Sequence, residues 1–267
     1  MKKRIIVLLT TSMLCLTFVP KIVAQEVNVK KNVAAESATG FETPEECVEA
    51  YMSYLSACDV DGMLSVAAID QMAGNASLKE MCARNGFWDV NSGLYFEGTD
   101  ELSINMNRLA VQGAMAKRIY YMIRTFSGNP MERANNAFKQ DELPDSANAY
   151  VDSFYADDMQ AVLSSISVEA IYSAEDIVRK LKPDQASEIL DRYTNSYAGN
   201  REFMEYLHAD DITELCVAFH TEADGRQALL FFSLVEYDGR WFINPLHNSL
   251  TSILLGVSAA SGGLLLL

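Results

Sequence analysis

The sequence predicts an α+β protein with helices in its N-terminal part and an antiparallel sheet in its C-terminal third. An amphipathic helical pattern follows Thr43, and helical patterns dominate the middle of the chain. The segment Ile212–Leu246 then consists of β-rich runs separated by two Asp-Gly pairs. Helices grouped before consecutive strands are typical of α+β domains, whereas α/β domains alternate the two.

The N-terminus has the pattern of an export signal. Residues 1–24 begin with the basic segment Lys2-Lys3-Arg4 and continue through the uncharged run Ile5–Val19. They end in Ile22-Val23-Ala24, which resembles a signal-peptidase cleavage site. The apolar run is shorter than the ~20 residues that a membrane-spanning helix needs, so we expect cleavage after Ala24. Residues 25–40 are polar and lack periodicity, which indicates a flexible linker. We therefore expect a secreted or cell-surface, extracytoplasmic protein with an ordered domain over residues 41–249.

The chain is strongly acidic. It has 21 basic and 36 acidic side chains, and because four of the basic ones lie within residues 1–24, the remainder carries 17 against 36. Such a charge repels phosphate backbones, so we expect no nucleic-acid partner. The partners that remain are an unknown small molecule or a protein, and the charge itself favours solubility.

Four cysteines follow the signal segment: Cys47, Cys58, Cys82 and Cys216. Four cysteines allow three pairings, and sequence alone does not choose between them. If Cys47 and Cys58 lie on one helix they are about 16 Å apart, too far for a disulfide. A Cys82–Cys216 disulfide and buried free thiols both remain open. The chain contains no C-x-x-C pattern, and we predict no metal and no cofactor.

The helices have clear start signals. Thr43-Pro44-Glu45-Glu46 predicts a helix with a capping box, followed by apolar residues at helical spacing. Asp59 or Asp61 is expected to cap a second helix over Gly62–Ile69. Residues 71–98 are predicted to be irregular and anchored by aromatic side chains, namely Phe87, Trp88, Tyr95 and Phe96.

The middle of the chain is predicted to contain one long helix, Ser103–Phe126, which Gly128 and Pro130 end. Alternating residues over Leu163–Ile171 favour a strand, and Pro183 introduces a helix over Asp184–Tyr197. The clearest segment follows, with strands at Ile212–Thr221, Arg226–Tyr237 and Arg240–Leu246. Asp-Gly between β-rich runs favours two-residue hairpin turns, so Asp224-Gly225 and Asp238-Gly239 predict a three-stranded meander.

Both ends of the ordered domain resemble a known family. FETPEECVEAYMSYLSACDVDGML (Phe41–Leu64) resembles the opening helix of exported domains related to the nuclear-transport-factor-like cone fold, the fold of ketosteroid isomerases and polyketide cyclases. LVEYDGRWFINPL (Leu234–Leu246) resembles their closing hairpin. On these motifs the chain is similar to a family of secreted proteins from Gram-positive anaerobes.

The resemblance implies N-terminal helices packed on a curved, cone-like antiparallel sheet, with a pocket between helix and sheet. Proteins of this fold include enzymes and non-catalytic binding domains, so the fold does not assign chemistry. This chain carries an additional helical insertion at about residues 71–160, and such an insertion could fill or reshape the pocket. We therefore expect a non-catalytic binding or protein-interaction module. The alternative is a small-molecule isomerase or dehydratase that uses a buried carboxylate between the Pro44–Ala57 helix and the meander.

No residue set emerges as a catalytic, cofactor or metal site. His208-Ala209-Asp210-Asp211 could supply metal ligands, but a solvated turn explains it better. Gly256-Val257-Ser258-Ala259-Ala260 lacks the last glycine of a nucleophile elbow, and no suitable histidine follows it. The acid pairs Asp59/Asp61 and Asp157/Asp158 show no sign of opposed environments.

Two further segments allow a functional and a structural interpretation. The long helix carries four cations, Arg108, Lys117, Arg118 and Arg124, which could bind an anion but more simply complement the helix dipole. The apolar tail at residues 250–267 could anchor in a membrane, but we favour its docking on the sheet or at a subunit interface. Self-association through the sheet face or the tail would make the protein a homo-oligomer.

Overall fold

The structure is a computed structural model that describes residues 40–85, 94, 96–126 and 157–267. The expected signal peptide, the linker up to residue 39 and most of residues 129–160 lie outside these ranges, as do Phe87, Trp88 and Tyr95. All described residues belong to one compact unit, Ser37–Leu267.

Six helices of the described chain precede the first strand: α1 (Pro44–Ser56), α2 (Val60–Ser65), α3 (Ile69–Asn75), α4 (Leu78–Asn85), α5 (Glu101–Phe126) and α6 (Asp157–Ser164). Strand β1 (Ile166–Ser173) is followed by α7 (Ala174–Leu181), a 3₁₀ turn at Pro183–Gln185 and α8 (Ala186–Glu205). The remaining elements are β2 (Asp211–Thr221), β3 (Gln227–Tyr237), β4 (Arg240–Ile243), α9 (Leu250–Leu254), a second 3₁₀ turn at Ala259–Ser261 and β5 (Leu264–Leu266).

The predicted capping box at the start of α1 is confirmed. The Glu46 amide donates to Thr43 Oγ1 at 3.2 Å, and the Thr43 amide donates to Glu46 Oε2 at 3.3 Å. Pro44 occupies the first turn, where its missing N–H costs nothing. The buried face of α1 is the predicted apolar stripe together with Cys47, whereas Cys58 lies beyond the helix at a positive φ of 56°.

Several predictions of element boundaries were wrong. The helix predicted to end at Tyr197 continues to Glu205, and the strand predicted to end at Leu246 ends at Ile243. Residues 71–98 are not irregular throughout, because α3 and α4 occupy much of the described part. Burial of Met72, Ala73 and Met81 stabilises these short helices despite the glycine and asparagine that signal loops. The predicted second helix, Gly62–Ile69, is divided between α2 and α3. The predicted strand Leu163–Ile171 begins only at Ile166, because its first two residues end α6.

The sheet is antiparallel, with strand order β1-β2-β3-β4. Asp238-Gly239 forms the predicted two-residue turn, in which both residues have positive φ and Tyr237 pairs with Arg240. The other hairpin differs from the prediction. The Thr221 amide donates to the Arg226 carbonyl at 2.9 Å, so the β2–β3 loop has four residues, Glu222–Gly225. Of these, Gly225 alone has positive φ, at 71°.

The apolar tail adds the fifth strand. Leu264–Leu266 pairs antiparallel with Ala228–Leu230 of β3, on the same edge that β4 pairs farther along. In the described part of the chain, no helix is long and apolar enough to cross a membrane. Because β5 pairs with β3, the end of the tail lies along the sheet, as the docked alternative requires.

Helices cover both faces of the central strands. One face packs against α1 and α5 in the largest core cluster, which includes Val217, Phe232 and Leu234. The other face, with Cys216 and Phe231, packs against Ile177 of α7 and residues near the C-terminus. The predicted α+β class, with N-terminal helices on a curved antiparallel sheet, is confirmed. The second helical layer is an addition to the single layer that the cone-like arrangement implies.

The two segments that carry the family resemblance meet at the edge of the sheet. The Phe41 amide donates to the Trp241 carbonyl at 3.1 Å, and the Trp241 amide donates back at 2.9 Å. The opening segment is therefore hydrogen-bonded to the closing hairpin within one unit.

Candidate functional site

A buried carboxylate lies on the sheet face that is turned away from α1. Glu214 of β2 is 5% exposed. Its Oε1 accepts from the Leu250 amide at 2.6 Å, and its Oε2 accepts from Ser249 Oγ at 2.8 Å and from the Thr251 amide and hydroxyl at 2.9 and 2.6 Å. These four donors come from the start of α9, so the carboxylate holds the C-terminal segment to the sheet.

Asn244, the first residue after β4, organises the same region. Its Oδ1 accepts from the Leu246 and His247 amides at 3.1 and 3.2 Å, which forms the loop that leads to α9. Its Nδ2 donates to Ser233 Oγ at 3.3 Å. Because Asn244 is buried and bonded on both sides of its amide group, the loop over residues 245–248 has a fixed position.

Arg118 of α5 inserts its guanidinium into the gap between β4 and β5. Nη1 donates to the carbonyl oxygens of Asn244 and His247 at 2.9 and 3.1 Å, and Nη2 donates to that of Phe231 at 3.3 Å. Phe231 lies on β3 beyond the last residue paired with β4, so the guanidinium takes the place of a neighbouring strand there. Burial lowers the pKa of Arg118, and nearby Tyr51 and Glu214 act in the opposite direction.

A groove of about 450 Å³ opens beside this guanidinium. Its walls are one side of α5 and the loop that follows β4. The lining residues are Ala114, Lys117, Arg118, Tyr121, Pro245, Leu246, Asn248 and Ala260. Two cations, one aromatic ring and several apolar groups therefore face a common space, and its volume lies within the range of small-molecule sites.

The cations beside the groove surround Tyr121. Lys117 Nζ and the Arg124 guanidinium each lie 5.6 Å from the centre of the Tyr121 ring. Within the described ranges, neither Lys117 nor Arg118 forms an ion pair. Arg108, the remaining cation of the predicted basic patch, lies outside the groove and forms an ion pair with Asp70 at 2.5 Å. The predicted basic patch is therefore divided, and the bonds of Arg118 to distant carbonyls give it a role beyond the helix dipole.

The cavity that the enzyme alternative requires is filled. Between α1 and the meander the side chains are apolar, including Leu55, Met122 and Phe219. Burial raises the pKa of the Cys47 thiol and of the Tyr51 hydroxyl, the two ionisable groups of α1 in this core. Glu214, the buried acid of the described chain, lies on the opposite face and is fully bonded. Within the described residues, there is therefore no cavity with a buried carboxylate between α1 and the meander, which is what the isomerase or dehydratase alternative predicts.

The other candidate groups have structural roles. Asp210 Oδ2 accepts from the Asp238 amide at 2.7 Å, and Asp211 pairs with Arg201 at 3.4 Å, so the expected turn describes the His208 cluster better than a metal site. In the part of the chain that can be described, no three potential metal ligands converge. Ser258 Oγ accepts from the Ala260 amide at 3.2 Å, within a turn before the 3₁₀ segment.

The remaining candidate acids lie at the starts of helices, and the described thiols form no disulfides. Asp59 Oδ1 accepts from the Gly62 amide at 2.9 Å and caps α2, and Asp61 lies in the first turn of that helix. Asp157 and Asp158 begin α6. All four cysteines in the described ranges are free thiols, with Cys47 and Cys216 buried and the other two half-buried.

Sequence reasoning missed Glu214, Asn244 and the groove. One signal was present, since Glu214 is a single charged residue within the apolar strand sequence ITELCVAF. A lone acid in a strand that is buried on both faces requires donors, but the sequence does not say which segment supplies them. Arg118 was identified as one of four cations and not as the one that donates to three distant carbonyls.

The comparisons with known proteins add no family assignment. No protein-family model matches the chain. A search of curated proteins also gives no match. Among solved structures, the chain is similar to a cystatin-like protein from Ruminococcus gnavus, with 14% identity and a TM-score of 0.36 over 76% of this chain. The match spans 41% of that protein's chain.

Proposed function

We propose that the protein is an exported, non-catalytic binding module whose groove beside α5 takes the carboxylate end of a partly apolar ligand. The observation that carries this proposal is the presence of two cations without an ion pair, Lys117 and Arg118, at a groove in a chain with a net charge of −15. Among the described residues that line this concave surface none is acidic, so its two cations favour an anionic guest.

The composition of the groove favours a carboxylate joined to an apolar body. Arg118 is held in place by three carbonyl oxygens, so its position is fixed before a ligand arrives and little entropy is lost on binding. Tyr121, Pro245 and Leu246 offer apolar surface beside the charge. A carboxylate can accept from the lysine ammonium while its apolar part covers the tyrosine ring.

The reactive groups of the described chain support a binding role over catalysis. Burial raises the pKa of the Cys47 and Cys216 thiols, so both stay protonated and weakly nucleophilic at neutral pH. Glu214 already accepts four hydrogen bonds from its own chain, and an acid held in this way is unavailable as a general base.

The proposal is tested by titrating the purified protein with benzoate and, separately, with neutral benzamide. Calorimetry measures the binding affinity of each compound, and the shift of the thermal midpoint provides a second measurement. We expect saturable binding of benzoate that weakens as salt rises, and much weaker binding of benzamide. Lys117→Gln should reduce the benzoate affinity about threefold to tenfold.

Lys180→Gln is the matched control, because Lys180 lies 4.4 Å from the centre of the Tyr172 ring on a different part of the surface. Equal binding of benzoate and benzamide, or equal effects of the two lysine variants, would contradict a carboxylate site in this groove.

A further inference from the structure

The outward face of α5 carries an apolar stripe with coiled-coil spacing. Its members are separated by alternating steps of four and three residues, and they are Leu102, Met106, Leu109, Gly113, Ala116 and Tyr120. This spacing keeps the stripe in line along a partner helix. The buried face of α5, defined by Val111, Met115 and Met122, lies almost opposite. The stripe is therefore separate from the core that holds α5 to the sheet.

The stripe is exposed along its length. Leu102 is 72% exposed, Leu109 is 64% exposed and Tyr120 is 48% exposed. Gly113 and Ala116 are also exposed, and a Cβ built on Gly113 would meet no atom within 4 Å. Single exposed apolar residues are ordinary, but several in register on one helix mark an interaction surface.

The sizes of the side chains along the stripe indicate which partner fits. The N-terminal half carries the large residues Leu102, Met106 and Leu109, and the small residues Gly113 and Ala116 follow. A second copy of α5 in antiparallel orientation places Leu109 opposite Gly113, Met106 opposite Ala116 and Leu102 opposite Tyr120. In the two central pairs a large side chain meets a small one, which lets the two helices pack closely there, and Leu102 and Tyr120 meet at the ends of the contact.

Charge is compatible with the same arrangement. In this register Lys117 faces Asn105, and the two copies of Lys117 are about 18 Å apart along the axis, which exceeds the Debye length at physiological salt. Antiparallel helix dipoles also attract each other. In a parallel pair each residue meets its own copy, so Gly113 and Ala116 would leave a gap between the helices.

We infer that the protein forms a two-fold symmetric dimer through antiparallel packing of the α5 stripes. This surface differs from the sheet face and the tail that the sequence suggested for self-association, because helices cover both sheet faces and the tail forms β5. A two-fold dimer needs a self-complementary patch, and the size pattern of α5 provides one.

The oligomeric state tests the inference. We expect light scattering and sedimentation of the purified protein to give twice the chain mass, with a dimer that dissociates on dilution. Leu109→Glu should raise the dissociation constant about tenfold or more, because it places a charge in the centre of the interface. Ile253→Glu is the control, since Ile253 is 53% exposed on α9 and should leave the dimer intact.

The orientation is tested by cross-linking in a Cys58→Ser, Cys82→Ser background. Mixing a Met106→Cys variant with an Ala116→Cys variant should yield mainly the mixed disulfide, because these positions face each other in the antiparallel register. A monomer at all concentrations, a dimer that Leu109→Glu and Ile253→Glu affect equally, or cross-linking of each variant mainly to itself would overturn the inference. Circular dichroism of Leu109→Glu is the control for folding. A spectrum like that of the unaltered protein shows that a decrease from the dimer mass to the monomer mass reflects dissociation of folded chains.

Discussion

Glu214 accepts two hydrogen bonds from Thr251, one from its amide and one from its hydroxyl, across 37 residues of sequence. The contact joins the first half of β2 to the first turn of α9, and both residues are buried. This buried charge therefore helps to attach the C-terminal segment to the sheet, together with the pairing of β5 with β3.

Replacing this charge should weaken the fold. Glu214→Gln keeps the shape but removes the charge and turns one acceptor into a donor that faces the amides of α9. Charged hydrogen bonds are worth about 1.5–3 kcal/mol, so we expect a loss of about that size in the free energy of unfolding. Urea unfolding measures it, with Glu188→Gln on the exposed side of α8 as the control. An equal, small effect of both variants would show that the Glu214 bonds contribute little.

Replacing Arg118 should also lower the free energy of unfolding, because Arg118 donates hydrogen bonds to backbone carbonyls of three residues. Arg118→Met retains much of the aliphatic stem but removes the hydrogen bonds that Arg118 donates to the carbonyls of Phe231, Asn244 and His247. We expect a destabilisation of roughly 3 kcal/mol, because each buried acceptor that loses its partner has a desolvation cost. Arg179→Met removes an exposed ion pair with Glu175 and should cost less than about 1 kcal/mol. A similar urea midpoint for the two variants would argue against the bridging role.

Tyr197 makes stability depend on pH at the alkaline end. Burial, followed by the charges of Asp211 and Glu214, raises the pKa of Tyr197 to about 12 from a usual value of 10.0. A raised folded-state pKa means that stability is fully present below pH 10 and is lost as the pH rises towards 12. Thermal midpoints should fall over this range, and the fall should be shallower in Tyr197→Phe than in the unaltered protein. Parallel profiles for the two would contradict this assignment.

The thiols should divide into two classes of reactivity. Burial raises the pKa values of Cys47 and Cys216, so both should resist alkylation until the protein unfolds. Burial also raises the pKa of Cys58, but Cys58 and Cys82 are only half-buried, so the reagent reaches both thiols and they should react in the native state. Mass spectrometry after brief iodoacetamide treatment distinguishes the classes. Detection of a Cys82–Cys216 disulfide in purified protein would overturn the assignment of four free thiols.

Local sequence signals predicted those elements whose causes are local. The capping box of Thr43 and Glu46 and the turn at Asp238-Gly239 are as predicted, because each depends on residues within one turn of the chain. The β2–β3 loop was predicted less well, since a four-residue loop and a two-residue turn can share the Asp-Gly pair. The helices α3 and α4 were missed because packing, and not propensity, stabilises them.

By itself the sequence determined the α+β class, the start of α1, the three consecutive strands β2, β3 and β4, and the turn that joins β3 to β4. Tertiary structure alone decided that Glu214 holds α9, that Arg118 fills the gap between β4 and β5, and that the tail completes the sheet. These contacts join residues between 34 and 129 positions apart, and the type of residue shows only that a buried charge needs a partner. Which segment provides that partner depends on how the layers pack, because packing determines which groups become buried together.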